Sequence, residues 1–229
     1  MGRFWDSVSG YDDINRETYS YFRRFTDGYR LSSIAEQSYV LDICAHTGNG
    51  THFFFQQGKV RAAVCADVSE RMLEVCRRRL EQIKIDFSLV RFSSYPLPFS
   101  DEEFDAVLCF ETLEHLPQPG EFLEELYRVL KPNGELLLTT PNSLWEPVHW
   151  LAAILEIHHS EGPHKFLSKR MVIQLLNKAG FHITREDTTV LIPAGPKSIT
   201  ALGEFLERVS GRWLRSLLGL RRIFICRKI

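Results

Sequence analysis

The chain has 229 residues, 44% of them apolar and 25% charged, an ordinary globular composition with enough length for one sizeable α/β domain and a full core. The formal net charge is −1, which gives the molecule as a whole no bias toward nucleic acid. The longest apolar stretch, Val148 to Ile157, is too short to span a bilayer and contains His149 and Glu156.

Charge is unevenly spread. Residues 93–135 carry ten acids and two bases, whereas residues 201–229 carry seven bases and two acids. The five cysteines are an odd count without a CxxC pair, and four of them sit inside apolar runs. That pattern predicts reduced, mostly buried thiols in a cytoplasmic protein. The N-terminus, "MGRFWDSVSGYDD", lacks the apolar core of a signal peptide.

In chain order, residues 1–35 read as helical and aromatic. Seven β-rich runs follow: "YVLDICA", "RAAVCADV", "DFSLVRF", "FDAVLCF", "ELLLTT", "HITREDTTV" and "IFICRK". The first, second and fourth are nearly continuous apolar runs, as central parallel strands covered on both faces require. Ser69 is a helix N-cap, followed by an apolar stripe of Met72, Leu73, Cys76, Leu80 and Ile83. Phe122, Leu123, Leu126, Val129 and Leu130 form a second stripe, stopped by Lys131-Pro132-Asn133-Gly134. Met171 to Ala179 form a third helix, with Gly180 as its C-terminal cap. Strand–helix alternation predicts a doubly wound α/β sheet. Residues 141–167 and 191–222 interrupt the alternation as less regular elaborations of one domain spanning 1–229.

The stretch "YVLDICAHTGNGTHFF" passes from a buried strand into a helix through a glycine-containing turn. In an open parallel sheet, ligands sit beyond the carboxyl ends of the strands, where Asp42, Thr47, Gly48, Asn49 and Gly50 fall. Asp67 ends the second strand, where a carboxylate can accept both hydroxyls of a ribose. The two features together predict a nucleoside-containing cofactor. Phe53 stands where a dinucleotide fingerprint wants a small residue, and the Gly-Lys-Ser/Thr ending of a P-loop is absent.

Over residues 5–140 the chain resembles the class I S-adenosylmethionine-dependent methyltransferases, in particular the small-molecule group that includes the quinone-biosynthesis enzymes. The resemblance rests on "FWDSVSGYDD", "VLDICAHTGNGTHFF", "ADVSERMLEVCRRRL" and "YPLPFSDEEFDAVLCFETLEHLPQPGEFLEELYRVLKPNGELLLTTPN" in this order. It implies a Rossmann-like, seven-stranded, mostly parallel sheet of order 3-2-1-4-5-7-6, with an antiparallel seventh strand. It further implies S-adenosyl-L-methionine as cofactor. Asp42 and the turn containing Cys44, His46, Gly48 and Gly50 would hold its methionine part. Asp67 would bind the ribose, Val68 would pack on the adenine, and Ser93 and Ser94 would lie near the adenine amino group. Phe110 and Glu111 would border the reacting methyl, and Tyr11 would cover the cofactor.

Cys44 and His46 replace the first two glycines of the family loop, and Ser93 stands where an aspartate is common. Histidine tolerates φ > 0 better than most residues, at a cost of about 1–2 kcal/mol. The implied function is methyl transfer to an O, N or C atom of a small or lipid-like molecule. The alternative is a methyltransferase-like binding module that has lost turnover. His115 and His149 are candidate bases; for His115 a structural place at a helix start is the competing reading. His149, His158, His159 and His164 have no standard metal spacing, so no metal site is expected. "LWEPVHWLAAILEI" and the basic "LGEFLERVSGRWLRSLLGLRR" would cover an apolar substrate or contact a membrane surface through residues 201–222. Their position between core strands favours a lid packed on the same domain.

Overall fold

The computed structural model describes residues 19–148, 150 and 165–229. Tyr11 and the histidines His149, His158, His159 and His164 lie outside the described residues. In order, the elements are α1 (Tyr19–Leu31), β1 (Ser38–Ile43), α2 (Asn49–Gln56), β2 (Val60–Asp67), α3 (Glu70–Ile83), β3 (Asp86–Arg91) and β4 (Phe104–Phe110). There follow α4 (Pro119–Val129), β5 (Leu130–Pro141), α5 (Lys169–Lys178), β6 (Phe181–Thr189), α6 (Lys197–Val209), α7 (Arg212–Leu218) and β7 (Arg221–Lys228). Short 3₁₀ turns occupy Leu113–His115 and Ser143–Trp145.

All seven β-rich runs become strands of one sheet, ordered β3-β2-β1-β4-β5-β7-β6. β7 runs antiparallel to both neighbours, and the other pairings are parallel. Alternating residues of the central strands divide the core in two. Val40, Cys65, Leu108 and Ile225 join Phe25, Phe54, Met72 and Leu80 of α1, α2 and α3. Leu41, Val64, Val107 and Phe224 join Phe122, Leu126, Val172 and Leu176 of α4 and α5. Helices on both faces explain why the central strands read as nearly continuous apolar runs.

The local stop and start signals act as expected. The Ser69 hydroxyl accepts the N–H of Met72 at 3.2 Å, and Gly180 follows α5 with φ of 98°. Residues 191–222, expected to be irregular, instead form α6 and α7. Pro196 precedes the first turn of α6, and a connection at Ser210–Gly211 separates the two helices.

Candidate functional site

At the carboxyl end of β1 the chain reverses into α2. Cys44, His46 and Gly48 have φ of 54°, 48° and 74°. The left-handed backbone of a glycine loop is therefore kept with two non-glycine residues in it. At Gly48 glycine is also forced by packing, because a Cβ would stand 2.6 Å from Sγ of Cys76. At Gly50 a Cβ would meet Phe110 at 2.9 Å and the Asp42 carboxylate at 3.0 Å. The first turn of α2 thus lies directly against the ends of β1 and β4. The loop is further tied down by Arg79, which donates to the Thr47 carbonyl, and by Asn49, whose Nδ2 donates to the Tyr21 hydroxyl at 2.9 Å.

Two acids organise this turn from within. Asp42 Oδ2 accepts the Thr51 N–H at 2.9 Å and its hydroxyl at 2.8 Å. Burial pushes the Asp42 carboxyl up to about 6; the Thr51 bonds pull it down, and the nearby Asp67 charge adds to the rise. Asp67 Oδ2 accepts the His46 N–H and Oδ1 the Ser69 N–H, each at 2.9 Å. Both carboxylates are 2% exposed. A carboxylate has about four acceptor positions, so Asp67 keeps capacity on each oxygen for a hydroxyl donor. That pair of acceptors suits a vicinal diol such as a ribose.

The other expected residues gather around the same strand ends. Val68 packs against both apolar clusters. Ser93 and Ser94 form an exposed turn after β3. Phe110 stacks edge-on against Phe25, with ring centroids 5.0 Å apart. Glu111 leaves β4 with φ of 49°, and its N–H donates to the Thr139 carbonyl at 3.1 Å. Its carboxylate accepts Nε of Arg221 at 3.0 Å. Burial raises the Glu111 carboxyl, but the charges of Arg221 and then Arg24 outweigh it, and the net shift is downward. Arg221 is itself buried at the start of β7 and donates to the Ser20 carbonyl.

His115 closes the short 3₁₀ turn, its N–H donating to Thr112 at 3.0 Å, which places its backbone in a structural role. An activated thiol at Cys44 is disfavoured, because burial pushes that group well above its usual range. No cluster of three or more His, Cys, Asp or Glu is placed to share a metal among the described residues.

Residues 41–138 match the family model for a methyltransferase domain. Of curated proteins, a ubiquinone/menaquinone biosynthesis C-methyltransferase of Hydrogenovibrio crunogenus is 33% identical over 152 residues, covering 63% of this chain and 59% of that protein. Residues 41–138 are thus a methyltransferase domain, and the sheet order agrees with the resemblance to the class I S-adenosylmethionine-dependent methyltransferases. A phthiotriol/phenolphthiotriol dimycocerosates methyltransferase of Mycobacterium ulcerans is 28% identical over 203 residues, covering 89% of this chain and 69% of that protein. The matches to the ubiquinone-type relatives span less than two thirds of their length, 59% and 61% in two cases. Among solved structures, an S-adenosylmethionine-dependent methyltransferase from Aquifex aeolicus superposes with a TM-score of 0.64 at 17% identity, over 95% of this chain and 98% of that one. The [4+2]-cyclase SpnF shares the fold too, with a TM-score of 0.62 at 17% identity over 90% and 83% of the two chains. The fold is therefore shared with a protein named for a different reaction.

Arg221, Arg24, Thr51 and Thr139 complete the site and had no local signal. Arg221 stood in a basic stretch, Arg24 in an aromatic one, and the threonines matched no motif.

Proposed function

We propose that the protein transfers a methyl group from S-adenosylmethionine to an O, N or C atom of a small or lipid-like acceptor. The supporting observation is the turn after β1. With Cys44 and His46 in place of glycine, it still takes three left-handed residues, and Asp67 fastens it to the end of β2. The cofactor supplies an electrophilic methyl, which leaves the protein to align donor and acceptor and to exclude water.

In this reading Asp67 holds the ribose hydroxyls and Val68 packs on the adenine, with Ser93 and Ser94 at its amino group. Asp42, buried and bonded to Thr51, fixes the strand end from which residues 44–50 cradle the methionine part. Phe110 and Glu111 border the methyl, and Arg221 and Arg24 hold Glu111 in its charged form. His115 and His149 are the candidate bases for an acceptor that must lose a proton. The relatives' names, a ubiquinone/menaquinone biosynthesis C-methyltransferase and a phthiotriol/phenolphthiotriol dimycocerosates methyltransferase, favour an apolar acceptor. The free cysteines suit a cytoplasmic setting.

A second reading, a binding module without turnover, draws on the side chains of Cys44 and His46 in the loop. The deciding experiment incubates the protein with methyl-labelled S-adenosylmethionine and either a prenylated quinol or a long-chain alcohol. Label in either product supports the first reading. Cofactor binding with no transfer to either acceptor favours the second.

A further inference from the structure

Helix α6 is built inside out. Its inward stripe, spaced at i, i+3, i+4 and i+7, is Thr200 and Gly203, both buried, with Glu204 and Glu207, both half-buried. The two acids on that stripe reach back to α1. Glu204 accepts the Tyr19 hydroxyl at 2.8 Å, and Glu207 pairs with Arg23 at 2.6 Å. Gly203 lets the helix approach closely, since a Cβ there would stand 2.9 Å from Ile192. The opposite stripe, Ile199, Leu202, Phe205, Leu206 and Val209, faces outward, with Phe205 58% and Val209 62% exposed. A helix of a globular domain ordinarily turns its apolar stripe to the core.

The outward face continues along α7 through Trp213, Leu214, Leu217 and Leu218, with Trp213 76% exposed. It then reaches the segment after β5. Trp145 Nε1 donates to the Leu218 carbonyl at 2.9 Å, and Leu144 and Val148 in that segment are exposed. Its charge is one-sided. Lys197, Arg208 and Arg212 are exposed, while the two acids of residues 197–218 are turned inward and paired. The ridge also has a definite position. Arg221, three residues beyond α7, is paired in the sheet with Pro141 at the end of β5 and bonded to Glu111. The ridge therefore borders the carboxyl-end rim that carries the cofactor loop.

We propose that the α6–α7 ridge docks onto the surface of an anionic lipid bilayer. Protruding aromatic and aliphatic side chains ringed by bases, with the acids withdrawn, match the surface that interfacial helices present to acidic headgroups. The docked orientation sets the rim of the site against the membrane, and an apolar acceptor enters from the lipid. Only this delivery step rests on the lipid-like acceptor proposed above; the docking itself does not.

The test is co-sedimentation of the full chain with vesicles of phosphatidylcholine and phosphatidylglycerol, and with vesicles of phosphatidylcholine alone, in the absence of cofactor. The protein should pellet with the anionic vesicles and much less with the neutral ones. The double variant Phe205→Ser, Trp213→Ser should weaken that binding by about tenfold or more. Arg208→Gln with Arg212→Gln should remove most of the preference for anionic vesicles. Both double variants replace exposed side chains, and a melting temperature close to native confirms folding. Absence of binding to anionic vesicles overturns the proposal, as does unchanged binding by a folded Phe205→Ser, Trp213→Ser variant. A dimer in sedimentation velocity that this variant dissolves also overturns it, because a second copy would then cover the ridge. Cofactor titration of the same samples reads the proposed reaction separately, so failure of one leaves the other standing.

Discussion

The carboxylate of Asp67, at the end of β2, accepts the backbone N–H of His46 at 2.9 Å, and its second oxygen takes the N–H of Ser69 at the same distance. One side chain thus joins the cofactor loop to the start of α3. The acid assigned to the ribose is also the acid that shapes the loop, so its loss is felt twice.

Asp67→Ala should lower S-adenosylmethionine affinity by about 1.5–3 kcal/mol and lower unfolding stability by about 1–3 kcal/mol, since two buried N–H groups lose their acceptor. Calorimetry and urea unfolding on the same variant separate the two effects. Unchanged affinity would remove Asp67 from the ribose.

Arg221→Met should destabilise the fold by about 3–5 kcal/mol, because it leaves Glu111 charged and buried without its nearest partner. Adding Glu111→Gln should recover a large part of that loss. Urea unfolding of the two single variants and the double variant measures the coupling. Additive losses would mean that the pair is not the unit the 3.0 Å contact describes.

Asp42 gives the site a pH signature. Its carboxyl is raised to about 6 in the fold, chiefly by burial, so between its unfolded value and about 6 the native state binds more protons than the unfolded chain. Its contribution is therefore full at low pH and is lost as pH rises through the folded value. Glu111, shifted downward, acts in the opposite sense and loses its contribution as pH falls. Comparison with Asp42→Asn isolates the first term. The stability of the variant relative to native should increase by about 1–3 kcal/mol from pH 4 to pH 7. A flat difference across that range would contradict the raised carboxyl.

The strands were readable because a parallel sheet covered on both faces leaves long apolar runs, and Ala62–Ala66 and Ala106–Phe110 are such runs. Asp42 and Asp67 were readable because their positions at strand ends have a chemical use. The left-handed φ at His46 followed from its standing where the family has glycine. Arg221 was hidden because its partner Glu111 is 110 positions away, and no local pattern encodes such a pairing. Helix α6 misled for a related reason. An amphipathic pattern reveals two faces but not which is inward, and here Tyr19 and Arg23 draw the acidic face in. Of the expected lid, α6 packs on α1 with its apolar side out, and most of the stretch after Trp145 lies outside the described residues.

The central claim is that the loop binds cofactor with His46 in place. Titration of native protein and His46→Gly with S-adenosylmethionine, by calorimetry under one set of conditions, tests it most directly. The native protein should bind, and the variant should bind equally or more tightly, because glycine relieves a left-handed strain of about 1–2 kcal/mol. A native protein that does not bind, restored to binding by His46→Gly, would show a blocked loop and contradict the account.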